Sequence, residues 1–445
     1  MNQFLLYFIL LFSLTQGLGQ SKFQLPENLD KVFIPFELLN NMIIIPVEVN
    51  GTELNFILDT GVSRSIIFNL ERVDSIDIRK KHTVKIFGYG EKEPFEVYYS
   101  NDNKLNSFGY TSQSSEFLIM INQSIDLFGF FGLDVHGIIG YDFFSEYIIE
   151  IDYKRKALHI HRHESRVKRK LRRMKGIPLI IKARKPYIET VVQHNGSKMQ
   201  MNTLVDTGNG DAMWLLPPLN SGIKPTNGFK DKLGVGLSGN VKGNRSKINQ
   251  VLLGKYKLNE VTVSIPDEES LANRKSKDID QEIHKGSIGG EILKRFKVFF
   301  DYKNILLYLK PQSSLKDGFY YNMAGLDLME GDLEIFTDIQ NAEIENLETG
   351  YGRIKNQRAV IYKTMQYYMV GPKLIISYVR PDSPAELSGL KIGDVVLKVN
   401  GRSRVNLTRN KIVSKFFEKP YSTLRFEIQR NEKILKFKFK LIPLI

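Results

Sequence analysis

The sequence predicts a mainly β protein: two homologous β-lobes in tandem, followed by a smaller α+β domain. Three observations lead there. A hydrophobic run ending in Asp-Thr-Gly occurs twice, at Phe56-Ile57-Leu58-Asp59-Thr60-Gly61 and at Thr203-Leu204-Val205-Asp206-Thr207-Gly208. Short apolar runs and an Asn-Gly pair accompany both copies, the patterning of hairpins. The last third differs, with strand-like runs alternating with one short capped helix and one longer helical stretch.

Length and composition bound the rest. A chain of 445 residues suggests about three domains. Hydrophobic residues make 42% and charged residues 25%, the balance of a folded globular protein rather than a disordered one. There is no cysteine, which excludes disulfides, thiolate zinc sites, cysteine nucleophiles and lipid attachment through Cys. The net charge of +14 is local, because Lys154 to Lys175 holds eleven Lys/Arg against one acid, Glu164. No aromatic stacking platform accompanies that run, so residues 161–175 read as a solvated inter-lobe linker and nucleic acid is not an expected partner. Phe4 to Leu14 is apolar and followed by Gly17-Leu18-Gly19, so residues 1–19 read as an export signal with Gln20 as the mature start. The expected location is the periplasm, cell envelope or medium, with no transmembrane segment in the mature chain.

The first lobe is expected over residues 31–160 and the second over 176–311. Ile34-Pro35 and Ile177-Pro178 open them, and Asn50-Gly51 and Asn195-Gly196 are hairpin turns. Met42 to Val49 and Leu54 to Leu58 are the strands flanking the first turn. Gly88-Tyr89-Gly90 matches Gly234-Val235-Gly236. Gly137-Ile138-Ile139-Gly140 stands 78 residues past Asp59, and Gly286-Ser287-Ile288-Gly289 stands 80 past Asp206. Short helices are expected at Tyr141 to Glu146 and Gly290 to Arg295. A closing hairpin follows in each, at Ile151-Asp152-Tyr153-Lys154 and Phe300-Asp301-Tyr302-Lys303. The common register indicates a tandem duplication of about 130 residues. His159, His161 and His163 alternate on a predicted strand, but no supporting cysteine or carboxylate cluster is read beside them, so no metal site is expected. No cofactor is expected either.

Duplicated Asp-Thr-Gly has a chemical rationale. Two carboxylates about 3 Å apart cannot both ionise, so they share a proton and can hold a water between them. One then accepts the water's proton while the other protonates a carbonyl oxygen. The glycine lets backbone N–H groups approach the carboxylate. A buried Thr hydroxyl needs a partner, which the opposing loop can supply.

These two loops, each matched by a later hydrophobic–Gly pair (Ile139-Gly140 and Ile288-Gly289), resemble the aspartic peptidases of the pepsin and retropepsin-like fold over about residues 31–311. The resemblance implies Asp59 and Asp206 as catalytic residues, one per lobe, with Thr60, Gly61, Thr207 and Gly208 supporting the loops. It implies a monomer that acts on protein or peptide substrates. Pepsins carry Ser or Thr after the glycine, whereas Val62 and Asn209 stand here, and the lobes are shorter, as in bacterial retropepsin-like proteins. Tyr110 is the candidate for the pepsin flap tyrosine.

In the last third, Leu374 to Val379 reads as a strand, Ser383 caps a helix stopped by Gly389, and Val395 to Val399 is a strand turned by Asn400-Gly401. Leu407 to Phe417 is helical, and strands follow at Leu424 to Gln429 and Leu435 to Leu441. The Ser-Pro-Ala, Gly-Leu, Gly-Asp and Asn-Gly pattern resembles a PDZ domain attached to bacterial proteases, here over residues 322–445. PDZ domains take a peptide C-terminus by β-strand addition. The resemblance assigns Gly325, Leu326, Asp327 and Leu328 to the carboxylate loop, with an insertion at about 329–373 that holds an acidic stretch, Glu330 to Glu348.

Two functions follow from these readings. One is an exported aspartic endopeptidase whose PDZ domain recruits substrate or partner. The other is a catalytically inactive peptide-binding or scaffold protein on the same fold.

Overall fold

The computed structural model describes residues 23–70, 73, 75–78, 82–86, 95–120, 135–216, 223, 225, 227–236, 239–274, 285–344, 361–403 and 407–445. The expected export signal lies outside them, as do Gly88 and Gly90. Among the described residues no helix is long and apolar enough to cross a membrane. The chain divides into two compact units at Phe319/Tyr320.

In the first unit, Met42–Val49 and Thr52–Leu58 form the expected hairpin, and both turn residues, Asn50 and Gly51, have positive φ (50° and 93°). That is the backbone a tight two-residue hairpin turn requires. The second strand pairs on its other side, in parallel, with Gly137–Ile139, placing Ile139 opposite Leu58. Phe56 and Leu58 are fully buried, so the strand is locked by its core face and ends at Asp59. The ladder continues one residue further, with the Asp59 N–H donating to Ile139 O at 2.9 Å. The same pairing recurs in the second lobe. Ser197–Val205 lies parallel to Gly286–Ile288, and the Asp206 N–H donates to Ile288 O, also at 2.9 Å. The helices after the two glycines, Tyr141–Phe144 and Gly290–Leu293, are single turns, shorter than expected.

A six-stranded antiparallel sheet joins the lobes. Its central pair is Ile148–Asp152 against Phe296–Asp301, one strand from each closing hairpin, with Ile149 opposite Phe300 and Ile151 opposite Val298. One hydrophobic core runs from this sheet through both lobes.

The basic run departs from the bare linker expected. Ala157–His161 is the expected second strand of the first closing hairpin, and it is within the expected linker that Val167–Leu171 forms a helix. Val167 and Leu171 are buried against Ile148 and Phe299, and Lys170 sits over the Phe299 ring at 4.4 Å. Two apolar residues four apart suffice to pin one helical turn to the sheet, leaving Arg166, Lys168, Arg169, Arg172, Arg173 and Lys175 exposed.

The histidines also differ from expectation, because carboxylates meet them across the sheet, Glu150 from the same hairpin and Asp301 from the second lobe. Glu150 lies opposite His159 and its Oε2 is 3.0 Å from His161 Nε2, while His163 Nδ1 is 3.6 Å from Asp301 Oδ1. Lys297 Nζ closes the cluster at 2.9 Å from Glu150 Oε1 and 2.5 Å from Asp152 Oδ2. Charges buried in this way are tolerated because they are paired.

The second unit is a five-stranded antiparallel path: Leu326–Ile344, Ile361–Val379, Val395–Val399, Thr423–Arg430 and Lys433–Lys440. Ser383 caps the Pro384–Ser388 helix by accepting the Glu386 N–H at 3.3 Å, and Gly389 ends it at φ 98°. Thr408 caps Arg409–Val413, which continues as a 3₁₀ turn to Phe417. The expected insertion is largely strand. Leu333 pairs with Pro372 and the ladder runs outward to Ile344 opposite Ile361, so the first two strands extend as a two-stranded ribbon.

Candidate active site

Two strand-to-loop junctions carry the site. Asp59 and Asp206 each stand one residue past a buried strand, and their carboxyl groups converge on Gly61, where a Cβ would lie 3.0 Å from an oxygen of each. Each also accepts the N–H of its own glycine: Gly61 N to Asp59 Oδ1 at 2.6 Å, and Gly208 N to Asp206 Oδ1 at 3.1 Å. A Cβ on Gly208 would overlap the Asp59 carboxylate, and one on Gly61 would sit 3.0 Å from both Asp206 Oδ1 and Asp59 Oδ1. The glycines are thus demanded by the close approach of the two loops.

Thr60 and Thr207 hold that approach. Thr60 Oγ1 donates to Val205 O at 2.6 Å, and Thr207 Oγ1 donates to Leu58 O at 2.7 Å. Both side chains are fully buried, and with these bonds both hydroxyl protons are used.

Burial pushes the Asp59 carboxyl above its ordinary range, against the Gly61 N–H, the Asp206 carboxyl and the positive charge of Lys185. Burial raises Asp206 well above that range, and the neighbouring Asp59 charge adds to it. Such a pair takes up its protons in two separated steps.

The residues after each glycine do not support the carboxylates. Val62 O accepts the Tyr141 N–H at 3.3 Å. The Asn209 amide turns away, donating from Nδ2 to Ser287 Oγ at 3.0 Å and accepting the Asp211 N–H at 3.0 Å. Beneath that loop lies a network the sequence did not reveal. Asp211 accepts from Arg245 Nη1 at 3.0 Å, Trp214 Nε1 at 2.9 Å and Ser264 Oγ at 2.6 Å, while Arg245 Nε donates to Asp231 Oδ2 at 3.0 Å. Asp211 gives no local signal of this role, because the other members of the network stand on four separate strands.

Tyr110 is corrected as a flap residue. It is fully buried, donates its hydroxyl to Phe143 O at 2.9 Å and stacks on Phe23 at 4.7 Å between centroids. Packed between Phe23 and Phe143, the ring is out of water, and its hydroxyl takes the Phe143 carbonyl as partner.

In the second unit, Gly325 adopts φ 72°, and its N–H donates to Asn322 Oδ1 at 3.0 Å while its carbonyl accepts the Arg380 N–H at 2.8 Å. Leu326 and Leu328 are buried, and Asp327 lies opposite Tyr378. Asn322 Nδ2 also donates to Leu326 O at 2.7 Å, and the buried Arg409 donates from Nε to Leu328 O at 2.6 Å. These bonds hold the Gly325 N–H and the Gly325, Leu326 and Leu328 carbonyls within the unit.

A family model described as aspartyl protease matches residues 45–143, and one described as PDZ domain matches residues 375–430. No curated protein matches the chain at a significant level. Among solved structures, the chain is similar to the crystal structure of an aspartic proteinase from Irpex lacteus, at 11% identity and a TM-score of 0.44, over 65% of this chain and 99% of that one.

Proposed function

From a chain that carries an aspartyl protease domain followed by a C-terminal PDZ domain, we propose an exported endopeptidase in which Asp59 and Asp206 share one active site. The observation that carries this reading is the convergence of the two carboxyls around Gly61 and Gly208, with both raised by burial and Asp206 the more strongly. Between its two titrations the pair holds one proton. The ionised carboxyl draws the proton from a water held between the two, and the protonated one donates to the carbonyl oxygen of the scissile peptide. Attack gives a tetrahedral diol, and return of a proton to the amide nitrogen releases the two products. The glycine N–H groups and the threonine lattice keep both carboxyls in place throughout, so little reorganisation accompanies the charge movement.

Each aspartate comes from a different half of one chain, and the matched halves support descent by tandem duplication. A monomer suffices for such a site. The PDZ domain supplies a recruiting surface for a peptide or protein, with the Gly325–Leu328 loop as its expected carboxylate end. The decisive experiment is digestion of casein and of a peptide library by the purified chain, with and without a statine-type inhibitor. Inhibitor-sensitive internal cleavage supports the proposal; binding of the inhibitor without any cleavage supports a peptide-binding protein on the same fold.

A further inference from the structure

The inter-lobe sheet has two faces, and only one of them carries the core shared by the lobes. Side chains alternate along each strand, so residues of one parity share a face. Ile149, Ile151, Val298 and Phe300 belong to the core that also holds Leu58 and Val205, the residues before the two aspartates. Ile148 and Phe299, of the other parity, turn away from that core and hold Val167 and Leu171 of the basic helix. Glu150 shares their face. The pairing sets His159 opposite Glu150 and Phe33 opposite His159, so this outer face runs on to the edge strand Lys31–Pro35. There the Phe33 and His159 rings lie 5.5 Å apart.

The buried carboxylates of this face are used within it. Glu150 and Asp152 meet Lys297, Lys170 and His161, and Asp301 accepts from Asn304 beside His163. The cations of the helix and its flanks stand apart from them. Arg166, Lys168, Arg169, Arg172, Arg173 and Lys175 are all exposed, and among the described residues no carboxylate pairs with any of them. The segments that build the face, residues 27–35, 146–175 and 296–310, hold fifteen Lys and Arg against seven Asp and Glu, so the surplus survives every local carboxylate. Exposed apolar side chains border the cations, with Phe33 51% and Ile305 50% exposed. Ile305 O accepts the Leu179 N–H, and a Cβ on Gly176, the residue after Lys175, would sit 3.0 Å from Leu306 Cδ2.

We propose that this outer face docks on an anionic phospholipid bilayer, the helix cations meeting lipid phosphates while Phe33 and Ile305 enter the interfacial layer. Cations alone would equally suit a nucleic-acid backbone. The exposed apolar side chains beside them are what a bilayer interface accommodates and a phosphodiester backbone does not. Val167 and Leu171 fix the helix on the sheet before any contact, so docking costs little ordering. The core and the two aspartates lie beyond the sheet's other face, so a docked molecule keeps its dyad turned away from the lipid. The attraction acts within a Debye length and weakens with salt.

The test is co-sedimentation of the full chain with phosphatidylcholine vesicles, with and without phosphatidylglycerol, at low and at high salt. Binding to the neutral vesicles measures whatever the apolar Phe4 to Leu14 run contributes. Binding should be tighter on the phosphatidylglycerol vesicles and fall with salt. Arg169→Gln/Arg172→Gln/Arg173→Gln should weaken it by about a hundredfold, at roughly fivefold per cation near the surface. Its Tm should stay at wild type, because these side chains are exposed and paired with no carboxylate. The charge-matched control Lys433→Gln/Lys438→Gln/Lys440→Gln, on an exposed strand of the second unit, should bind as wild type. Equal binding to the two kinds of vesicle, or an equal loss in the control, would overturn the proposal. So would tighter binding to a duplex oligonucleotide at the same phosphate concentration, which would give the face to nucleic acid.

Discussion

Thr60 and Thr207 each accept the other's backbone N–H, Thr207 N at 3.1 Å from Thr60 Oγ1 and Thr60 N at 3.0 Å from Thr207 Oγ1. With the hydroxyl protons given to Val205 O and Leu58 O, four hydrogen bonds cross between the loops. Removing one hydroxyl strands a buried donor and a buried acceptor. Thr60→Val should therefore lose about 2–4 kcal/mol of stability, from two unsatisfied groups at roughly 1–2 each. It should also cut kcat strongly, because the two carboxyls lose their common anchor. Thr60→Ser should recover most of both. Thermal unfolding and kcat on one peptide check this; a Val variant with wild-type Tm would contradict the role given to the lattice.

Each aspartate variant separates catalysis from stability. Asp59→Asn and Asp206→Asn should each abolish cleavage, since neither remaining carboxyl can both accept and donate the required protons. The folded-state values of both carboxyls are raised, so the pair contributes a penalty that grows as pH rises from the unfolded carboxylate range through the raised values. Removing one member lifts that penalty. Tm near neutral pH should thus equal or exceed wild type, with the two converging in acid. Retained turnover in either variant would show the dyad assignment to be wrong.

The inter-lobe sheet predicts the opposite pH response. Burial alone would raise Glu150, but His161, Lys297 and Lys170 outweigh it and hold its carboxyl well below the ordinary range. A depressed value contributes stability above the unfolded carboxylate pKa, lost as pH falls through the folded one. Glu150→Gln should destabilise at neutral pH by about 1–3 kcal/mol, because His161 loses its carboxylate and Lys297 keeps only Asp152. The difference from wild type should shrink on acidification. Parallel Tm-against-pH curves for the two proteins would refute this account.

The boundary of the protease part follows from Arg295. Its buried guanidinium stacks on Phe319 at 3.5 Å, donates from Nη2 to Gly318 O at 2.9 Å, and donates from Nη1 to Asp317 O. A chain ending at Phe319 should still cut a short, uncharged peptide, whereas one ending at Pro311 should be less stable because Arg295 loses these acceptors. Loss of all activity from a folded chain ending at Phe319 would show that the PDZ domain supports the site.

Much of this is legible in the residues. The paired loops can be read because apolar runs, Asp-Thr-Gly and the later glycines keep register, and each landmark has a local cause such as a tight turn or a close approach. The PDZ helices are equally readable from Ser383 and Gly389, whose capping roles are local. What escapes are pairings of long sequence separation. Glu150 meets His161, and Asp211 meets Arg245, only after strands are laid side by side. Ile361 to Val370 gives no sign of its pairing with Leu333–Ile344, because no Asn-Gly turn announces it. Tyr110 illustrates the reverse error: a tyrosine suggests a flap by residue type alone, and its neighbours Gly109 and Thr111 to Glu116 carry no apolar pattern that would announce its burial.

The remaining prediction concerns the activity profile. A hydroxyl after Asp-Thr-Gly could donate to the ionised carboxyl and lower its pKa, but Val62 has none and the Asn209 amide is spent on Ser287 and Asp211. Both carboxyls are accordingly raised by burial, with Lys185 pulling against it. Activity needs one carboxyl ionised and one protonated, so raising the lower of the pair's two titrations moves the acid limb toward neutrality. The best activity is expected in mildly acidic to neutral buffer. Val62→Ser should move the acid limb down by giving the charged form a donor. Lys185→Gln should move both limbs up by removing a cation that favours ionisation. The measurement is kcat/KM against pH on an uncharged peptide for all three proteins. An optimum in strongly acidic buffer that neither substitution moves would mean that burial and Lys185 do not control the dyad.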